Sequence, residues 1–380
     1  MKVTFVSNYI NHHQIPVSSE LYAKLGADYA FVQTEAMEPE RVQMGWNPDT
    51  ESLPYLRLYE KDPQGIMQLI MDSDMVIFGG TDDESFIQPR LKSGKPVIRY
   101  SERIYKTGQW KFISPRGLKK KYEDHTQYRK APVYMLCAGA YVASDFNLVR
   151  AYPNKKLKWG YFPAMKDYDV DKLLDEKAGK TGRMEILWAA RFIDWKHPEM
   201  VVKLAETLKK ENYNFHITMI GGGVMKDEIE QMVEALGVGD FVTLAGFRTP
   251  DEVRTYMERA DIYLVTSDRQ EGWGAVVNEA MNSGCAVVGD AMIGAVPYLI
   301  ENGVNGLIYK TRNQKALEQA VKVLLDEPGQ TRELGRRAYQ TIQETWNAKV
   351  AAERLLVFAE ELLSGEPNLE RYSEGPLSRA

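Results

Sequence analysis

The sequence predicts an α/β protein built from two doubly wound domains, each a parallel sheet with helices on both faces. Its 380 residues fit about two domains, at roughly 150 residues per domain. Short runs of β-branched and apolar residues recur along both halves, and helical patterns separate most of them. Apolar runs that alternate with helices are typical of parallel sheets whose two faces are both buried.

Six apolar runs predict the strands of the first half. Helical stretches fill most of the intervals between them, for example Ile15–Lys24, whose Pro16 falls in the first turn, where its missing N–H donor does no harm. Gln64–Met71 is a second such stretch. The predicted strands are Lys2–Ser7, Tyr29–Gln33, Leu56–Tyr59, Met75–Phe78, Pro96–Tyr100 and Val133–Cys137.

The second half shows the same alternation and ends in helices. Amphipathic patterns at Glu199–Lys210 and Asp227–Leu236 predict helices between strands, and the pattern is wholly helical from Asn313 to about Ser364. The tail after Pro367 is predicted to be loosely ordered. The predicted strands are Met184–Ala189, Phe215–Ile220, Phe241–Ala245, Ile262–Thr266, Ala286–Val288 and Leu307–Tyr309.

The predicted domain boundary lies in a Lys-rich and then polar stretch between Asn154 and Arg183. We therefore expect an N-terminal domain at 1–160 and a C-terminal domain at 161–350. A C-terminal helix and tail at 351–380 could cross back to the first domain. The two domains are expected to face each other across a cleft, because ligands of open parallel sheets bind at the carboxyl ends of the strands.

Composition and charge exclude several classes of protein. With 44% hydrophobic and 27% charged residues, the chain is neither disordered nor collagen-like. A net charge of −5 argues against a nucleic-acid partner. No apolar run approaches the roughly 20 residues that span a bilayer, and Met1–Ser7 is predicted to be a strand rather than a signal peptide. Cys137 and Cys285 lie in apolar runs and are expected to be core residues, so a cytoplasmic location is expected.

A glycine-containing turn that opens a helix is the most informative segment. It runs from Glu271 to Gly284 and follows a predicted strand. Backbone N–H groups at such a turn favour a phosphate, and Gly272 and Gly274 would let the backbone approach it closely. Glu279 lies in a mostly apolar stretch, where a charge without a partner is unfavourable.

Two other interpretations of these glutamates are available. The first is a solvent-facing helix that carries two ordinary carboxylates. The second is a glycosidase acid/base pair, but eight helical positions span roughly 12 Å, whereas hydrolytic pairs lie roughly 5–9.5 Å apart. The spacing suits two ends of an extended ligand better than hydrolysis.

A short basic loop follows the first strand of the second half. It runs from Ala189 to Pro198 and contains Arg191 and Lys196. A guanidinium binds a diphosphate as a two-pronged fork and an ammonium binds it as a point charge. Alone, this would be an unremarkable basic loop. Together with the anion-receptive turn in the same domain, it predicts a diphosphate site.

These segments resemble the retaining glycosyltransferases of family 4, which have two Rossmann-like domains facing across a cleft (the GT-B fold). The Glu-x7-Glu signature of that family corresponds to Glu271 and Glu279, and its Arg and Lys phosphate pair corresponds to Arg191 and Lys196. The resemblance covers about Arg183–Tyr309 and is weaker over residues 1–150. Supporting matches are Met219–Gly223, Leu244–Phe247 and Gly294–Pro297 leading into Glu301–Leu307.

The resemblance implies a role for each matched residue. Arg191 and Lys196 would hold the diphosphate of a nucleotide-sugar donor, such as a UDP-sugar, together with the backbone of the turn. Glu271 would contact the transferred sugar, and Glu279 would contact the ribose. Phe247 would border the nucleobase. The remaining residues implied in donor binding are Gly221, Gly222, Gly272, Trp273, Gly274 and Ala275.

The resemblance also implies the kind of reaction. The sugar would be transferred to the hydroxyl of a saccharide or lipid-linked saccharide, with retained anomeric configuration, in bacterial surface polysaccharide or glycolipid assembly. No metal or other cofactor is expected, since the two cations would neutralise the diphosphate. A nucleotide-sugar epimerase or a sugar phosphorylase of the same architecture is the alternative.

The N-terminal half departs from the family pattern in two places. The loop after the first strand contains His12 and His13 where relatives have paired glycines, and one of the two is a candidate phosphate or acceptor ligand. After Pro96–Tyr100, Glu102 and Arg103 stand where many relatives have a histidine. Glu102 is a candidate catalytic residue that would accept a hydrogen bond from the acceptor hydroxyl, or it forms an ion pair with Arg103.

A basic stretch with aromatic residues stands out in this acidic chain. Residues 111–130 contain seven Lys or Arg residues, and Trp110 precedes them. Such a surface suits peripheral contact with the inner face of a membrane or an anionic acceptor. The alternative is a solvated helix face balanced by Glu123 and Asp124. His125, at the end of this stretch, is expected at the surface.

Overall fold

The computed structural model describes residues 1–39, 42, 48–81, 83–178 and 182–380. The chain divides into two compact units. Unit 1 comprises Met1–Ala164 together with Trp346–Ala380, and unit 2 comprises Met165–Thr345. The division therefore falls a few residues from the sequence-based limits at 160 and 350.

Unit 1 is built on a parallel sheet with the strand order β3-β2-β1-β4-β5-β6-β7. All five residues of the central strand β1 are buried, which is expected when helices cover both faces. The order reverses between β1 and β4. The strands are β1 Val3–Ser7, β2 Tyr29–Gln33, β3 Leu56–Leu58, β4 Met75–Gly79, β5 Val97–Ser101, β6 Val133–Ala138 and β7 Lys156–Trp159.

Helices pack on this sheet and enclose an apolar core. Buried side chains of the strands, such as Val6, Val76 and Met135, meet helical residues such as Ile70 and Phe146 in one cluster. The helices of this part of unit 1 are α1 Ile15–Leu25, α2 Pro63–Asp72, α3 Glu84–Lys92, α4 Pro115–Asp124 and α5 Val142–Leu148.

Strand β7 was missed by the sequence analysis, which treated its lysines as part of a polar linker. Lys156 is buried, and its Nζ donates to the carbonyl oxygens of Ala151 and Tyr152, the second at 2.7 Å. Burial lowers the pKa of Lys156 because it removes the ammonium from water. The two carbonyl oxygens replace the hydrogen bonds that the ammonium would make to water. A lysine can therefore occupy this buried position of the strand.

The C-terminal tail is ordered, which corrects the prediction of a loose segment. Lys158 N donates to Ser378 O at 2.7 Å, and Leu377 N donates to Lys158 O at 2.8 Å. Leu377 and Ser378 are both buried. The tail thus pairs with strand β7, which would otherwise be a sheet edge with unpaired backbone groups.

Unit 2 is a second parallel sheet, with the order β10-β9-β8-β11-β12-β13. This order also reverses once, between β8 and β11. In open α/β sheets, such a reversal opens a crevice at the carboxyl ends of the two strands. The strands are β8 Met184–Ala189, β9 Phe215–Ile220, β10 Val242–Gly246, β11 Ile262–Val265, β12 Ala286–Asp290 and β13 Leu307–Tyr309.

The helices of unit 2 cover both faces of its sheet, and the two sheets confirm the predicted doubly wound α/β class. Apolar residues of the amphipathic helix at Pro198–Lys210 pack with β8 and β9 in one core. The helices are α6 Val170–Ala178, α7 Pro198–Lys210, α8 Lys226–Ala235, α9 Pro250–Met257, α10 Val276–Asn282, α11 Val296–Leu299, α12 Gln314–Asp326 and α13 Pro328–Glu344.

The last helix, α14 at Ala348–Ser364, returns to unit 1. It packs against α1, where Lys24 Nζ lies 3.1 Å from Glu353 Oε1. The ring of Phe358 meets Tyr134 of β6 edge to face, with ring centroids 5.2 Å apart. In the described part of the chain, no helix combines the length and apolarity needed to cross a bilayer.

Candidate active site

The candidate donor site lies where the strand order of unit 2 reverses. The loop at 190–197 follows β8, and the loop at 266–275 follows its neighbour β11. These loops contain Arg191, Lys196 and Glu271. The parallel pairing of the two strands brings residues that are far apart in sequence to one edge of the sheet.

Lys196 and Glu271 form an ion pair between the two loops, although 75 residues separate them in sequence. Both side chains are largely shielded from solvent. The Lys196 ammonium lies 4.5 Å from the centroid of the Trp195 ring, and the Arg191 guanidinium lies 5.9 Å from the same ring. Two of the predicted phosphate ligands and the predicted sugar ligand therefore meet in one place.

The backbone around Lys196 is held by a chain of hydrogen bonds from β8 and β11. Trp188 Nε1 donates to Thr266 Oγ1 at 2.8 Å, and Thr266 Oγ1 donates to the carbonyl oxygen of Lys196 at 2.6 Å. Asp268 N donates to the carbonyl oxygen of Trp195 at 3.0 Å. Trp188 is fully buried, so these bonds fix the loop to the core of unit 2.

His197 continues this support and was missed by the sequence analysis. It has left-handed backbone angles, with φ of 51°, and caps the start of α7. Its Nδ1 lies 3.1 Å from Glu199 Oε1 and its Nε2 lies 3.5 Å from Asp268 Oδ2. The hydrogen bond with Glu199 raises the pKa of His197. A protonated His197 would bridge the two loops. In the sequence, only its position directly before Pro198 could have indicated this role.

Gly221 and Gly223 bring the loop after β9 close to the loop after β8. A Cβ on Gly221 would lie 1.9 Å from Ala190 O, and one on Gly223 would lie 2.5 Å from Phe192 O. The predicted donor residue Gly221 is therefore required for packing of the loops. A Cβ on Gly222, in contrast, would meet no atom within 4 Å, and the carbonyl oxygen of Gly222 accepts from Phe192 N at 2.8 Å.

Phe247 and Val224 are exposed apolar side chains near the ends of the neighbouring strands β10 and β9. Phe247 was predicted to border a nucleobase. Val224 was not predicted, and only its position directly after three glycines could have indicated it.

The turn at 272–275 leads into α10, for which Ala275 is the N-terminal cap residue. Gly274 has φ of 95°, and a Cβ there would lie 3.0 Å from Ile293 Cγ2 and 3.3 Å from Glu271 Cγ. The glycine therefore allows both the backbone angle and the placement of Glu271. Gly272, like Gly274, is shielded from solvent.

The side chain of Trp273, a predicted donor-binding residue, points into the protein, so a contact with the donor would come from its backbone. Its exposed fraction is 0%, and Nε1 donates to Asn278 Oδ1 at 2.9 Å. The carbonyl oxygen of Trp273 accepts from Ala295 N at 2.9 Å. The side chain thus anchors the turn from behind.

Glu279 lies on α10 with little contact with solvent. Burial raises its pKa to about 7, and the positive charge of Arg254 offsets part of that effect. Arg254 is itself buried and donates a hydrogen bond to Asn282. A carboxyl group with such a pKa changes its charge easily when a hydrogen-bond donor arrives.

In unit 1, His12 and His13 follow β1, beside the point where that sheet reverses. The two imidazole rings are 3.8 Å apart between centroids, and His13 stacks on Tyr161 at 5.7 Å. Burial lowers the pKa of His12 to about 4, so this ring is neutral at physiological pH. Which of the two contacts a ligand stays open.

Glu102 belongs to the same cluster. Tyr161 Oη donates to Glu102 Oε1 at 2.6 Å, and Lys106 forms an ion pair with the other carboxylate oxygen. Of the two alternatives for Glu102, the ion pair with Arg103 is therefore wrong. The carboxylate is fixed by a tyrosine and a lysine.

Arg103 and His125 both point into unit 1. Arg103 Nη2 lies 3.4 Å from Oδ1 of the buried Asp145, so its predicted contact with a ligand in the cleft is not supported. His125 Nδ1 lies 2.7 Å from Tyr152 Oη, and burial holds its pKa well below the ordinary value. The prediction that His125 is a surface residue is wrong, because its partner lies 27 residues away in the sequence.

Comparisons with known proteins show which family part of this chain resembles. Residues 170–341 match the family model described as glycosyl transferases group 1. The amylovoran biosynthesis glycosyltransferase AmsK of Erwinia amylovora is 30% identical over 139 residues, which cover 35% of this chain and 34% of that protein. The α-D-kanosaminyltransferase of Streptomyces kanamyceticus is 26% identical over 155 residues, or 41% of this chain and 40% of that protein. The chain thus matches less than half the length of these two relatives.

The fold extends the likeness to the whole chain. The crystal structure of Anabaena HepE in complex with UDP superposes with a TM-score of 0.70, covering 96% of this chain and 100% of that one at 14% identity. The narrower assignment to family 4 is consistent with these matches and stays a prediction. Residues 170–341, a little under half of the chain, are thus similar to the glycosyl transferases of group 1, and the chain as a whole has the GT-B fold.

Proposed function

We propose that this protein is a retaining glycosyltransferase that moves a sugar from a nucleotide diphosphate-sugar to an acceptor hydroxyl. The observation that carries the proposal is the meeting of Lys196, Glu271 and Arg191 at the reversal of strand order in unit 2. This is where open α/β sheets bind nucleotides.

The difficult charge in such a reaction develops on the departing diphosphate. Arg191 and Lys196 would stabilise it more in the transition state than in the ground state, which accelerates the chemical step. The ion pair with Glu271 keeps the Lys196 ammonium in position. We propose that a phosphate of the donor replaces Glu271 as the partner of Lys196. Glu271 can then accept hydrogen bonds from the transferred sugar.

The rest of the donor is assigned to neighbouring groups. Ribose hydroxyls would donate to Glu279, and such bonds favour the ionised carboxylate. The exposed Phe247 and Val224 offer an apolar surface to a nucleobase. Backbone N–H groups of the turn at 272–275 would contact the diphosphate. Retention follows from the family resemblance, with front-face attack and the leaving phosphate accepting the proton of the acceptor.

The acceptor is assigned to unit 1, at the cluster of Glu102, Tyr161 and His13. Glu102 is held by Tyr161 and Lys106, so its carboxylate is oriented to accept a hydrogen bond from a sugar hydroxyl. His12 is neutral and can also accept a hydrogen bond. We propose a saccharide or lipid-linked saccharide as the acceptor.

Relatives suggest the donor class and the biological setting. HepE was crystallised with UDP and with UDP-glucose, AmsK is named for amylovoran biosynthesis, and WcaL of Escherichia coli is named as a putative colanic acid biosynthesis enzyme. We therefore propose a UDP-sugar as the first donor to test, and bacterial surface polysaccharide or glycolipid assembly as the process. We propose that Arg191 and Lys196 take the place of a metal.

The test replaces the two cations separately. Arg191→Ala and Lys196→Ala should each lower kcat/KM for sugar transfer by about 100- to 1000-fold, as expected for the loss of one group that stabilises developing charge. Lys210→Ala, on the exposed end of α7, is the matched control and should leave transfer unchanged. Near-normal transfer by either site variant, with an unchanged melting temperature, would refute the assignment. Product analysis separates transfer from the isomerisation or phosphorolysis expected of the alternative enzymes.

A further inference from the structure

The densest group of exposed apolar side chains lies between residues 110 and 122. Nine large apolar side chains are exposed among the described residues, and four of them lie here. Trp110 and Ile113 are 68% and 65% exposed, and Leu118 and Tyr122 are also open to solvent. On protein surfaces such side chains normally occur singly. Four of them in one short segment therefore indicate a surface that binds another molecule or a membrane. We name it the 110–122 surface.

Two helical pieces present these side chains in pairs. Trp110 and Ile113 lie on the 3₁₀ turn Gln109–Ile113, where positions three apart fall on the same side. Leu118 and Tyr122 lie four positions apart on α4 and are therefore neighbours on one helix face. Each pair forms a continuous apolar strip rather than two isolated contacts.

The 110–122 surface is anchored to the body of unit 1. Arg99 Nη1 donates to the carbonyl oxygen of Asp124 at 2.7 Å, at the end of α4. Phe112, between the exposed residues, packs against the core of the unit. Gly108 has φ of 135°, and a Cβ there would lie 2.7 Å from the Trp110 ring, so this glycine makes room for the ring. The apolar side chains are thus held outward by a fixed frame.

The same segment of chain is rich in cations. Residues 111–130 contain seven Lys or Arg residues and two carboxylates, a net charge of +5, whereas the whole chain carries −5. The two carboxylates lie near two of the lysines, with Lys119–Glu123 at 3.8 Å and Lys120–Asp124 at 3.1 Å. Lys111 Nζ lies 5.8 Å from the Trp110 ring. The segment therefore carries positive charge where the rest of the protein is acidic.

We propose that the 110–122 surface docks on the anionic headgroups of a lipid bilayer. Trp and Tyr prefer the headgroup level of a membrane, and Lys and Arg are attracted by anionic lipids. Leu118 and Ile113 would enter the boundary between headgroups and acyl chains, as the apolar face of an interfacial helix does. Lysine is depleted at the cores of protein–protein interfaces, so its density around the aromatic residues favours a lipid surface over a protein partner.

Binding to vesicles tests the proposal with the full chain and without any donor or acceptor. The protein should co-sediment with vesicles of phosphatidylcholine that contain about one third phosphatidylglycerol, and much less with pure phosphatidylcholine. Each cation near an anionic surface contributes about fivefold to the partition coefficient, so Lys119→Glu should weaken binding by about 25-fold. The matched control is Lys210→Glu, since both lysines are exposed and paired four positions away, and it should change little.

The apolar contribution has its own matched pair. Leu118 and Leu363 are helix leucines exposed by 39% and 41%. Leu118→Ser should lower vesicle binding severalfold, and Leu363→Ser should not. Vesicles should also shift the tryptophan emission of the wild type to the blue, and Trp110→Phe should remove that shift.

Three results would overturn the proposal. In the first, the wild type does not bind anionic vesicles. In the second, it binds neutral and anionic vesicles equally. In the third, test and control variants whose melting temperatures match the wild type lose vesicle binding equally. If the protein binds an acidic protein but no vesicles, the first result applies and the proposal is wrong.

Discussion

Replacing Glu279 by glutamine should stabilise the protein by an amount that grows as pH rises from about 4.5 to about 7 and is largest above that range. Burial raises the pKa of Glu279 from its ordinary value of 4.5 to about 7, with Arg254 offsetting part of the effect. Between these two values the folded state holds a proton that the unfolded state has lost. Folding stability therefore falls as pH rises from about 4.5 to about 7, and the loss is complete above that range.

The size of this loss follows from the two pKa values. Their difference corresponds to roughly 3 kcal/mol, and this is an upper limit because Glu279 keeps some contact with solvent. Glutamine has the same shape and cannot ionise. At pH 8, Glu279→Gln should therefore raise the melting temperature of unit 2 by several degrees, up to about 10 °C. At pH 5 the folded carboxyl is protonated and most of the loss is absent, so the two melting temperatures should differ by only a few degrees.

Melting curves of both proteins at pH 5 and pH 8, without nucleotide, provide the assay. Glu199→Gln is a control of opposite sign. Burial alone would raise the pKa of Glu199, but hydrogen bonds from His197 and from the backbone bring it below the ordinary value. This variant should be less stable than the wild type at pH 8. A Glu279→Gln protein that is no more stable than the wild type at pH 8, or that differs from it equally at both pH values, would show that burial does not raise the pKa of Glu279.

Three further predictions concern the packing around the candidate sites and the need for a metal. Gly274→Ala should lower the unfolding free energy by about 1–3 kcal/mol in urea titrations, because φ is 95° and the new Cβ would press on Ile293 and Glu271; an unchanged midpoint would contradict this. Asp145→Ala should destabilise by about 3–5 kcal/mol in the same assay, since it leaves Arg103 buried without its carboxylate; a loss below about 1 kcal/mol would argue against that pair. EDTA should leave the rate of sugar transfer unchanged, and a loss that Mg²⁺ restores would contradict metal-independent transfer.

Most of the fold could be predicted because apolar runs alternate with helices along the chain. The runs at Met184–Ala189 and Phe215–Ile220 became β8 and β9 with the predicted limits. Strand β7 was missed because Lys155, Lys156 and Lys158 look like a linker. Lys156 is tolerated there because carbonyl oxygens of a preceding turn bind its ammonium, and such tertiary contacts leave no local pattern.

The candidate donor site could be predicted where spacing along one segment carries the information. Glu271, Gly274 and Glu279 lie within nine residues, and their turn and helix follow from local sequence. The contacts that orient them connect distant segments, such as the pair of Lys196 with Glu271. No local feature indicates which partner a charged residue selects.

Unit 1 shows the same limit for side-chain orientation. Arg103 stands next to Glu102 in sequence and was a natural ion-pair partner for it. Successive residues leaving a strand point in different directions, and Arg103 turns to the buried Asp145 while Glu102 meets Lys106 and Tyr161. These two residues are adjacent in sequence but form ion pairs and hydrogen bonds with different partners.

A crystal structure of the protein with bound UDP would show whether Arg191 and Lys196 hold a diphosphate. We expect diphosphate oxygens about 3 Å from the Arg191 guanidinium and the Lys196 ammonium, beside the turn at 272–275, with Lys196 released from Glu271. A diphosphate bound elsewhere, or bound while Lys196 stays on Glu271 and Arg191 points away from the phosphates, would contradict it.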